Sequence, residues 1–324
     1  MLDILKNRPT MVLEAQKAKF RPGLAIQILI FIAVLIVTQI AASIPVIFFA
    51  VAKVIGDVSN GRITPGDGTS FDQNYVSDLT GGDGTSLAML FGTAISIFLV
   101  IIYCRFIEKR SLYSMGLGKR KAIWGYASGL LVGAVMFSAA VLICWLAGTL
   151  EFNGVVLGNS LGMVIVFLFA FLFQGMSEEV LMRGYFMVSV AAKKPVILAI
   201  LLNSVIFALM HMANNGISLL PIINLTLYGI FASVYTLRAD SLWGTCAIHS
   251  VWNFAQGNIY GIAVSGIQIK ASVLSFTPTE GNSIINGGSF GLEGGLAVTA
   301  VLAAAIALTL LLKGRKAKVE LDLN

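Results

Sequence analysis

The chain has 324 residues and a net charge of +6, and it is 57% hydrophobic but only 12% charged. Soluble domains carry about 25% charged residues. With a mean hydropathy of +0.87, the composition excludes an ordinary soluble domain and predicts a polytopic helical membrane protein. The apolar runs are continuous, whereas a membrane β-barrel needs short alternating segments. The basic residues lie beside apolar runs and set topology there, so the charge does not indicate nucleic-acid binding.

Eight apolar segments are long enough to be membrane spans, which need about 17–25 residues each. They cover residues 25–51, 87–106, 123–147, 161–192, 196–212, 219–237, 242–262 and 292–312. The first is longer than a crossing requires, so we expect it to tilt. It is also too long for a cleavable signal peptide. The predicted fold class is therefore all-α, a polytopic membrane helical bundle of about eight transmembrane helices.

Basic residues mark one side of this bundle. They cluster in 105–121, at 193–194 and after the last span, and only Lys53, Arg62 and Lys270 fall on the other side. Because cytoplasmic loops are enriched in Lys and Arg, both termini are predicted to be cytoplasmic. The chain then divides into a cytoplasmic or interfacial N-terminus at 1–22, one bundle at 23–313 in the cell membrane, and a basic cytoplasmic tail at 314–324.

Two polar segments are predicted to be external loops, at 56–85 and 265–291. The first contains the pentapeptide Gly-Asp-Gly-Thr-Ser twice, at 66–70 and 82–86, and Asp-Gly is a turn signal. We expect a flexible loop with two similar turns. Weak calcium binding is the alternative, although the spacing matches no calcium loop; its ligands would be Asp67, Asp72, Asp78 and Asp83.

The fourth span contains charged residues, in the sequence Glu178-Glu179-Val-Leu-Met-Arg183. A charge at bilayer depth costs roughly 2.5–3.5 kcal/mol on insertion scales, so such residues are functional by default. Residues four apart share a helix face, which predicts an ion pair between Glu179 and Arg183. Glu178 is turned by about 100° from Glu179 and is therefore the carboxylate left for chemistry.

The two histidines of the chain, His211 and His249, both fall in predicted spans. His249 and Asn253 are four residues apart and point to one locus. Glu178 and His211 lie about 22 Å from the cytoplasmic ends of their helices, and His249 and Asn253 lie about 10–18 Å in. These depths predict that the four side chains meet in one polar cavity, open to the cytoplasmic half.

These residue types together suit peptide hydrolysis by a water nucleophile. A buried carboxylate can act as a general base with a neutral histidine, while a second histidine and an amide N–H donate to the developing oxyanion. The chain has no G-x-S-x-G or H-E-x-x-H motif. The reaction requires no cofactor, but zinc bound by Glu178, His211 and His249, with an open fourth position, stays an alternative.

The motifs Glu178-Glu179-x-x-x-Arg183, Phe207-x-x-x-His211 and His249-x-x-x-Asn253 resemble those of the CAAX prenyl protease and bacteriocin-processing family of intramembrane proteases. The resemblance covers about residues 112–260. It implies that Glu178 and His211 activate the water, that His249 and Asn253 stabilise the oxyanion, and that Glu179 and Arg183 support the site. The implied partners are the lipid bilayer and a membrane-associated, prenylated or toxin-like peptide or protein.

Two other functions fit the same residues. The chain could be a non-catalytic membrane scaffold or a bacteriocin-immunity protein that keeps the fold and binds through its external loops. A proton-coupled transporter could use Glu178 and the histidines as a relay. Glu179 and Arg183, considered alone, could be a structural pair.

Overall fold

The computed structural model describes residues 8–63, 73–119 and 122–311, and within them the chain is a helical bundle. The predicted basic tail at 314–324 lies outside the described residues, as does the first pentapeptide. The helices are α1 Thr10–Ala15, α2 Leu24–Ser59, α3 Gln73–Gly81, α4 Asp83–Gly92, α5 Ala94–Ile102, α6 Ala122–Leu146, α7 Leu161–Glu179, α8 Val188–Ala191, α9 Val196–Leu209, α10 Leu219–Ala239, α11 Trp243–Phe254, α12 Ser283–Asn286 and α13 Leu296–Leu311. π-helical segments extend α5, α7 and α11 at Tyr103–Glu108, Val180–Met187 and Ala255–Ile259.

The polytopic helical fold class is confirmed. In the described part of the chain, five helical stretches are long and apolar enough to cross a membrane, namely Leu24–Ser59, Leu79–Glu108, Ala122–Leu146, Leu161–Ala191 and Leu219–Ala239. The other three predicted spans are also helical but shorter, at α9, α11 and α13. The fifth span was predicted to reach residue 212, but α9 ends at Leu209 because the chain turns there towards Gly216, which has a φ of 74°.

Helix α11 packs between α6 and α7 at the centre of the bundle. Its contact with α6 is a backbone contact: a Cβ added to Gly129 would lie 2.3 Å from the carbonyl oxygen of Gly244. At Gly133 the added atom would lie 2.5 Å from Cγ1 of Val251. Small residues allow this close approach between membrane helices. The position of α11, which carries His249, is therefore fixed by close packing.

The N-terminal segment packs against one end of the bundle. Met11 and Val12 of α1 are fully buried, and the Met11 amide donates to Oδ1 of Asp240 at 2.8 Å. Arg8 Nε donates to the carbonyl oxygen of Ala191 at 3.1 Å. We call this side the basic end, because it also carries the loops at 109–119, 192–195 and 240–242, which correspond to the predicted cytoplasmic face.

The opposite side, which we call the loop end, carries the segments at 60–63, 147–160, 210–218 and 260–295. It contains a structure that the sequence did not predict, a two-stranded antiparallel sheet of β1 (Leu150–Val155) and β2 (Leu274–Pro278). The strands pair Phe152 with Phe276, whose rings lie 5.1 Å apart. This pairing holds the predicted second external loop against the bundle.

The predicted flexible loop at 56–85 is helical over much of its described length. Helix α2 continues to Ser59, and the second pentapeptide begins α4 instead of forming a turn. Asp83 lies in the first turn of α4, where a carboxylate favours a helix start. Its Oδ1 accepts a hydrogen bond from the Lys270 amide at 2.9 Å, so it joins two loop segments. Of the other aspartates considered for calcium, Asp67 and Asp72 and the side chain of Asp78 lie outside the described residues.

Candidate active site

A cavity of about 290 Å³ lies in the middle of the bundle, and Glu178, His211, His249 and Asn253 all line it. Glu178 comes from α7, His249 and Asn253 come from α11, and His211 follows α9. Helices α2, α4, α5, α10 and α13 supply the rest of the wall together with the loop after α11. The residues that the sequence singled out are therefore brought to one cavity.

The cavity extends towards the loop end, which corrects the expectation of an opening to the cytoplasmic half. Its wall includes Asn214, Ser265 and Glu293, all in loop-end segments. On the basic side of Glu178, every residue of the π-helical segment Val180–Met187 is buried. These packed side chains fill the half that was expected to be open.

Glu179 bonds to both Arg183 and His249 in the protein interior. Arg183 Nη1 donates to Glu179 Oε1 at 2.8 Å, and both side chains are 0% exposed. The predicted pairing is present. His249 Nδ1 lies 2.8 Å from the same oxygen, and because a carboxylate only accepts, Nδ1 is the donor. The guanidinium of Arg183 also lies over the Phe207 ring, 4.6 Å from its centroid. Glu179 thus fixes the orientation of the His249 ring.

Asn203 of α9 completes the surroundings of Arg183. With its amide oxygen oriented towards Arg183, that oxygen accepts from Nε at 3.2 Å, and the amide nitrogen donates to the Met182 carbonyl at 2.8 Å. This orientation satisfies both ends of the amide, so the hydrogen-bond network assigns it. Asn203 is fully buried and ties α9 to the π-helical segment.

Glu178 is less enclosed than its neighbour, with a side chain that is 24% exposed. Gln174 Nε2 donates to Glu178 Oε1 at 2.7 Å. The other oxygen, Oε2, has no hydrogen-bond partner in the described part of the chain and lies 3.7 Å from His249 Nε2. Asn253 Nδ2 donates to Gln174 Oε1 at 2.9 Å, so Gln174 links Glu178 to Asn253. Gln174 was not predicted as a site residue, although its position four residues before Glu178 signals a shared helix face.

His211 lies in the turn after α9 and not within a helix, contrary to the sequence prediction. Its Nδ1 lies 2.8 Å from the Phe207 carbonyl oxygen, so Nδ1 is the donor, and in the neutral ring Nε2 is an acceptor. Among the described residues, no hydrogen bond joins His211 to Glu178, and the imidazole beside Glu178 is that of His249.

The proposed zinc ligands do not form a metal site. Across residues 8–63, 73–119 and 122–311, no group of three or more His, Cys, Asp or Glu side chains is arranged to hold a metal ion. Glu178, His211 and His249 share the cavity, but in the described part of the chain they are not placed as a group that could hold one ion.

Tyr228 of α10 is a further lining residue that the sequence did not indicate. Its ring meets the His249 ring edge-on, with centroids 5.2 Å apart. Its hydroxyl is buried and has no hydrogen-bond partner among the described residues. A buried hydroxyl without a partner is unusual in a native interior and is more common at functional sites.

The cavity residues lie in a segment that matches a known protein family. Residues 160–255 match the family described as Type II CAAX prenyl endopeptidase Rce1-like. We call this matched segment the Rce1-like domain. The match is narrower than the range of 112–260 that the motifs suggested, but it includes α7, α9, α10 and α11 and all four cavity residues named above. The family match supports the assignment of the chain as a CAAX-type intramembrane endopeptidase, which is a protease. No curated protein and no solved structure matches the chain.

Proposed function

We propose that the chain is a glutamate-type intramembrane endopeptidase in which Glu178 activates a water molecule for attack on a peptide bond. The main support is that Glu178 Oε2, at the wall of the cavity, has no hydrogen-bond partner among the described residues and lies 3.7 Å from His249 Nε2. Leaving a buried carboxylate oxygen without a donor costs about 1–3 kcal/mol or more. A water bound there as the nucleophile would supply the missing donor.

Glu178 is the general base in this proposal. Water would donate one proton to Oε2, while Gln174 holds Oε1 at 2.7 Å and fixes the carboxylate plane. Nε2 of His211 is an acceptor, because Nδ1 donates to the Phe207 carbonyl, and it can orient the same water from the cavity side. Glu178 and His211 need not touch each other, since the water would lie between them.

His249 and Asn253 are the proposed oxyanion donors. His249 donates through Nδ1 to Glu179, so a second proton on the ring lies on Nε2, and this Nε2–H can donate towards the cavity. The amide nitrogen of Asn253 has two hydrogens, and Gln174 uses one of them. The second can donate to the carbonyl oxygen of the scissile bond. Donors fixed before the reaction stabilise the developing charge without reorganisation.

The proposed hydrolysis needs only water and the side chains of the cavity. The water oxygen bonds to the carbonyl carbon, its proton passes to Glu178, and the carbonyl oxygen becomes the oxyanion. When the C–N bond breaks, Glu178 returns the proton to the leaving nitrogen, giving a carboxylic acid and an amine. Arg183 acts only through Glu179, as a positioning residue.

The proposed substrate is a membrane-associated peptide or protein, including prenylated or toxin-like peptides. The cavity walls on the α4, α10 and α13 sides carry apolar side chains, which suit an apolar segment of such a substrate; they include Met89, Leu90, Leu225, Val298 and Leu302. We place the protein in the cell membrane as a multi-pass protein. With the basic end in the cytoplasm, the cavity faces the opposite side of the membrane.

The test compares peptides in membranes that contain the wild-type chain or the Glu178→Gln variant. Glutamine keeps the hydrogen bond with Gln174 but cannot accept a proton, so cleavage should fall by about 10²–10⁴-fold, and uncut substrate should accumulate. Glu151→Gln is the matched control, because Glu151 is an exposed carboxylate outside the cavity.

Alanine at His211 or His249 should give the same set of uncut peptides. Identical peptide profiles for the wild type, Glu178→Gln and the two histidine variants would refute the peptidase and favour a scaffold or immunity protein.

A further inference from the structure

The cavity contains a second carboxylate, which comes from outside the Rce1-like domain. Glu293 lies in the turn that precedes α13, is 9% exposed and lines the same cavity as Glu178. The family match ends at residue 255, so Glu293 belongs to the C-terminal part of the chain. A residue there can adapt the cavity to a particular substrate without altering the residues proposed for hydrolysis.

Both the backbone and the side chain of Glu293 are held in place. Asn224 Nδ2 donates to the Glu293 carbonyl oxygen at 2.7 Å. The amide and hydroxyl of Ser265 donate to Oε2 at 2.9 and 2.6 Å, and Gln256 Nε2 lies 3.5 Å from the same oxygen. In the described part of the chain, these side-chain bonds all end on Oε2, and Oε1 receives none.

The surroundings of Glu293 have acceptors in excess. No Lys or Arg of the described residues forms a salt bridge with it, and none lines the cavity, whose other carboxylate is Glu178. Gln256, which contacts Glu293, has its own Oε1 buried and without a donor. A cavity with negative charge and low-dielectric walls concentrates the field and attracts cations.

We propose that Glu293 is a specificity residue that binds a cationic N–H group of the peptide substrate, either a Lys or Arg side chain or a free N-terminal amine. This inference rests on the proposed peptidase function and names the class of its substrate. Oε1 accepts from the cation, while Ser265 holds Oε2 and keeps the carboxylate aimed. The substrate is then a peptide with an apolar segment and one positive group, which are recognised at different parts of the wall.

The test measures the binding of short fluorescent peptides to the purified full chain in nanodiscs. The peptides share an apolar sequence and differ at one position, Lys, Arg or norleucine, and each is made with a free and an acetylated N-terminus. We expect the cationic peptides to bind at least about tenfold more tightly than the acetylated norleucine peptide. Comparison of the two N-termini shows whether a side chain or the terminal amine supplies the charge.

In Glu293→Gln, the cationic peptides and the acetylated norleucine peptide should bind with affinities within about twofold of each other. Glutamine keeps an oxygen for Ser265 but removes the charge. Glu280→Gln, an exposed carboxylate of the same loop end, should leave the preference unchanged. Glu293→Asp keeps the charge and should retain part of the preference. Equal binding of all peptides to the wild type, or a preference that survives in Glu293→Gln, would overturn the inference. If Glu293→Gln does not fold, equal binding of all peptides by the wild type still overturns the inference, and a weaker preference in Glu293→Asp supports it.

Cleavage of the same peptides, measured in parallel, separates this inference from the proposed function. A cationic preference in binding, with no cleavage by the wild type, would refute the peptidase and leave the cation site standing. Cleavage that depends on Glu178 but not on peptide charge would refute only the role of Glu293.

Discussion

Within the described residues, the bundle contains two buried Glu–Arg pairs with similar distances and similar burial. Arg183 and Glu179 lie 2.8 Å apart at the centre, and Arg110 and Glu108 lie 3.0 Å apart at the basic end, with all four side chains at most 2% exposed. The second pair was not predicted, because Arg110 was interpreted as a topology signal in a cytoplasmic loop. Burial and ion pairing alone therefore do not distinguish a functional charge from a structural one.

The two pairs differ in what remains unpaired. Arg110 also donates to side-chain and carbonyl oxygens of Ser114, to the Gly184 carbonyl and to Ser189, and the Ser189 hydroxyl contacts both oxygens of Glu108. That network is closed. Around Glu179, in contrast, Oε2 has no partner among the described residues.

Glu179 is also connected to the cavity, because its Oε1 holds His249, which lines the wall. A network whose polar groups are all bonded stabilises one packing arrangement. A network that leaves a polar group unbonded next to a cavity can still bind a water or a substrate there. From this difference we propose that the basic-end pair serves stability and the central pair serves function.

Of the substitutions at the two pairs, Glu179→Gln is expected to have the largest effect, because it should lower both stability and cleavage. It leaves the Arg183 charge buried without a counter-charge, which costs about 3–5 kcal/mol. Thermal unfolding in detergent should show this loss, and the protein that remains folded should cleave at least tenfold more slowly, on the order expected for a lost catalytic orientation.

Replacement of both partners, Glu179→Leu with Arg183→Met, separates the two effects. Apolar side chains of similar size should recover most of the stability, as in other buried pairs, but not the cleavage. If both stability and cleavage recover, the central pair has only a structural role, like the basic-end pair.

Arg110→Met should lower stability by a similar amount, about 3–5 kcal/mol, because Glu108 then loses its only cationic partner among the described residues. Cleavage per folded molecule should stay at the wild-type level. Arg105→Met is the control, since Arg105 is exposed in the same segment. A folded Arg110→Met protein with an unchanged melting temperature and lost cleavage would erase the distinction between the two pairs.

Some of these features could be predicted from the sequence because they depend on local spacing. Hydropathy located the eight predicted spans, each of which is helical over most of its length, and the helix period identified the Glu179–Arg183 pair. The hydrogen bond between Glu179 and His249 joins residues 70 apart in the sequence, and no period indicates it. The same holds for Glu293, whose place in the cavity depends on how the C-terminal turn packs on α10.

The direction of the cavity was predicted wrongly for a related reason. Counting residues gives depth along each helix but not which half of the bundle is filled. The π-helical segment after Glu179 buries Met182 and Phe186 together with Arg183 and thereby closes the basic half. The helix period also misplaced His211, because it continued α9 through residues that form a turn.

Gln174→Leu should have a smaller effect, on catalysis only. The side chain binds Glu178 Oε1 and Asn253 Nδ2, so its loss frees both to rotate. We expect kcat to fall by about tenfold, with little change in KM, because Gln174 acts as a positioning residue. Gln174→Glu also tests whether residue 174 positions Glu178, because a third carboxylate in the cavity would repel Glu178 instead of holding it. A change confined to KM would indicate a direct contact with substrate instead.

The smallest effect is expected at two buried tyrosines, Tyr185 near the basic-end pair and Tyr228 in the cavity wall. Tyr185 accepts a hydrogen bond at its hydroxyl from Gln27 Nε2 at 3.1 Å, whereas the Tyr228 hydroxyl has no partner in the described part of the chain. Tyr185→Phe should therefore destabilise the protein by about 1 kcal/mol, because it leaves a donor of Gln27 unsatisfied. Tyr228→Phe removes an unsatisfied group while keeping the ring contacts, so the melting temperature should stay the same or rise. Equal losses at both positions would mean that the Tyr228 hydroxyl is bonded within the resting protein, and the cavity would then have one free donor fewer than the geometry indicates.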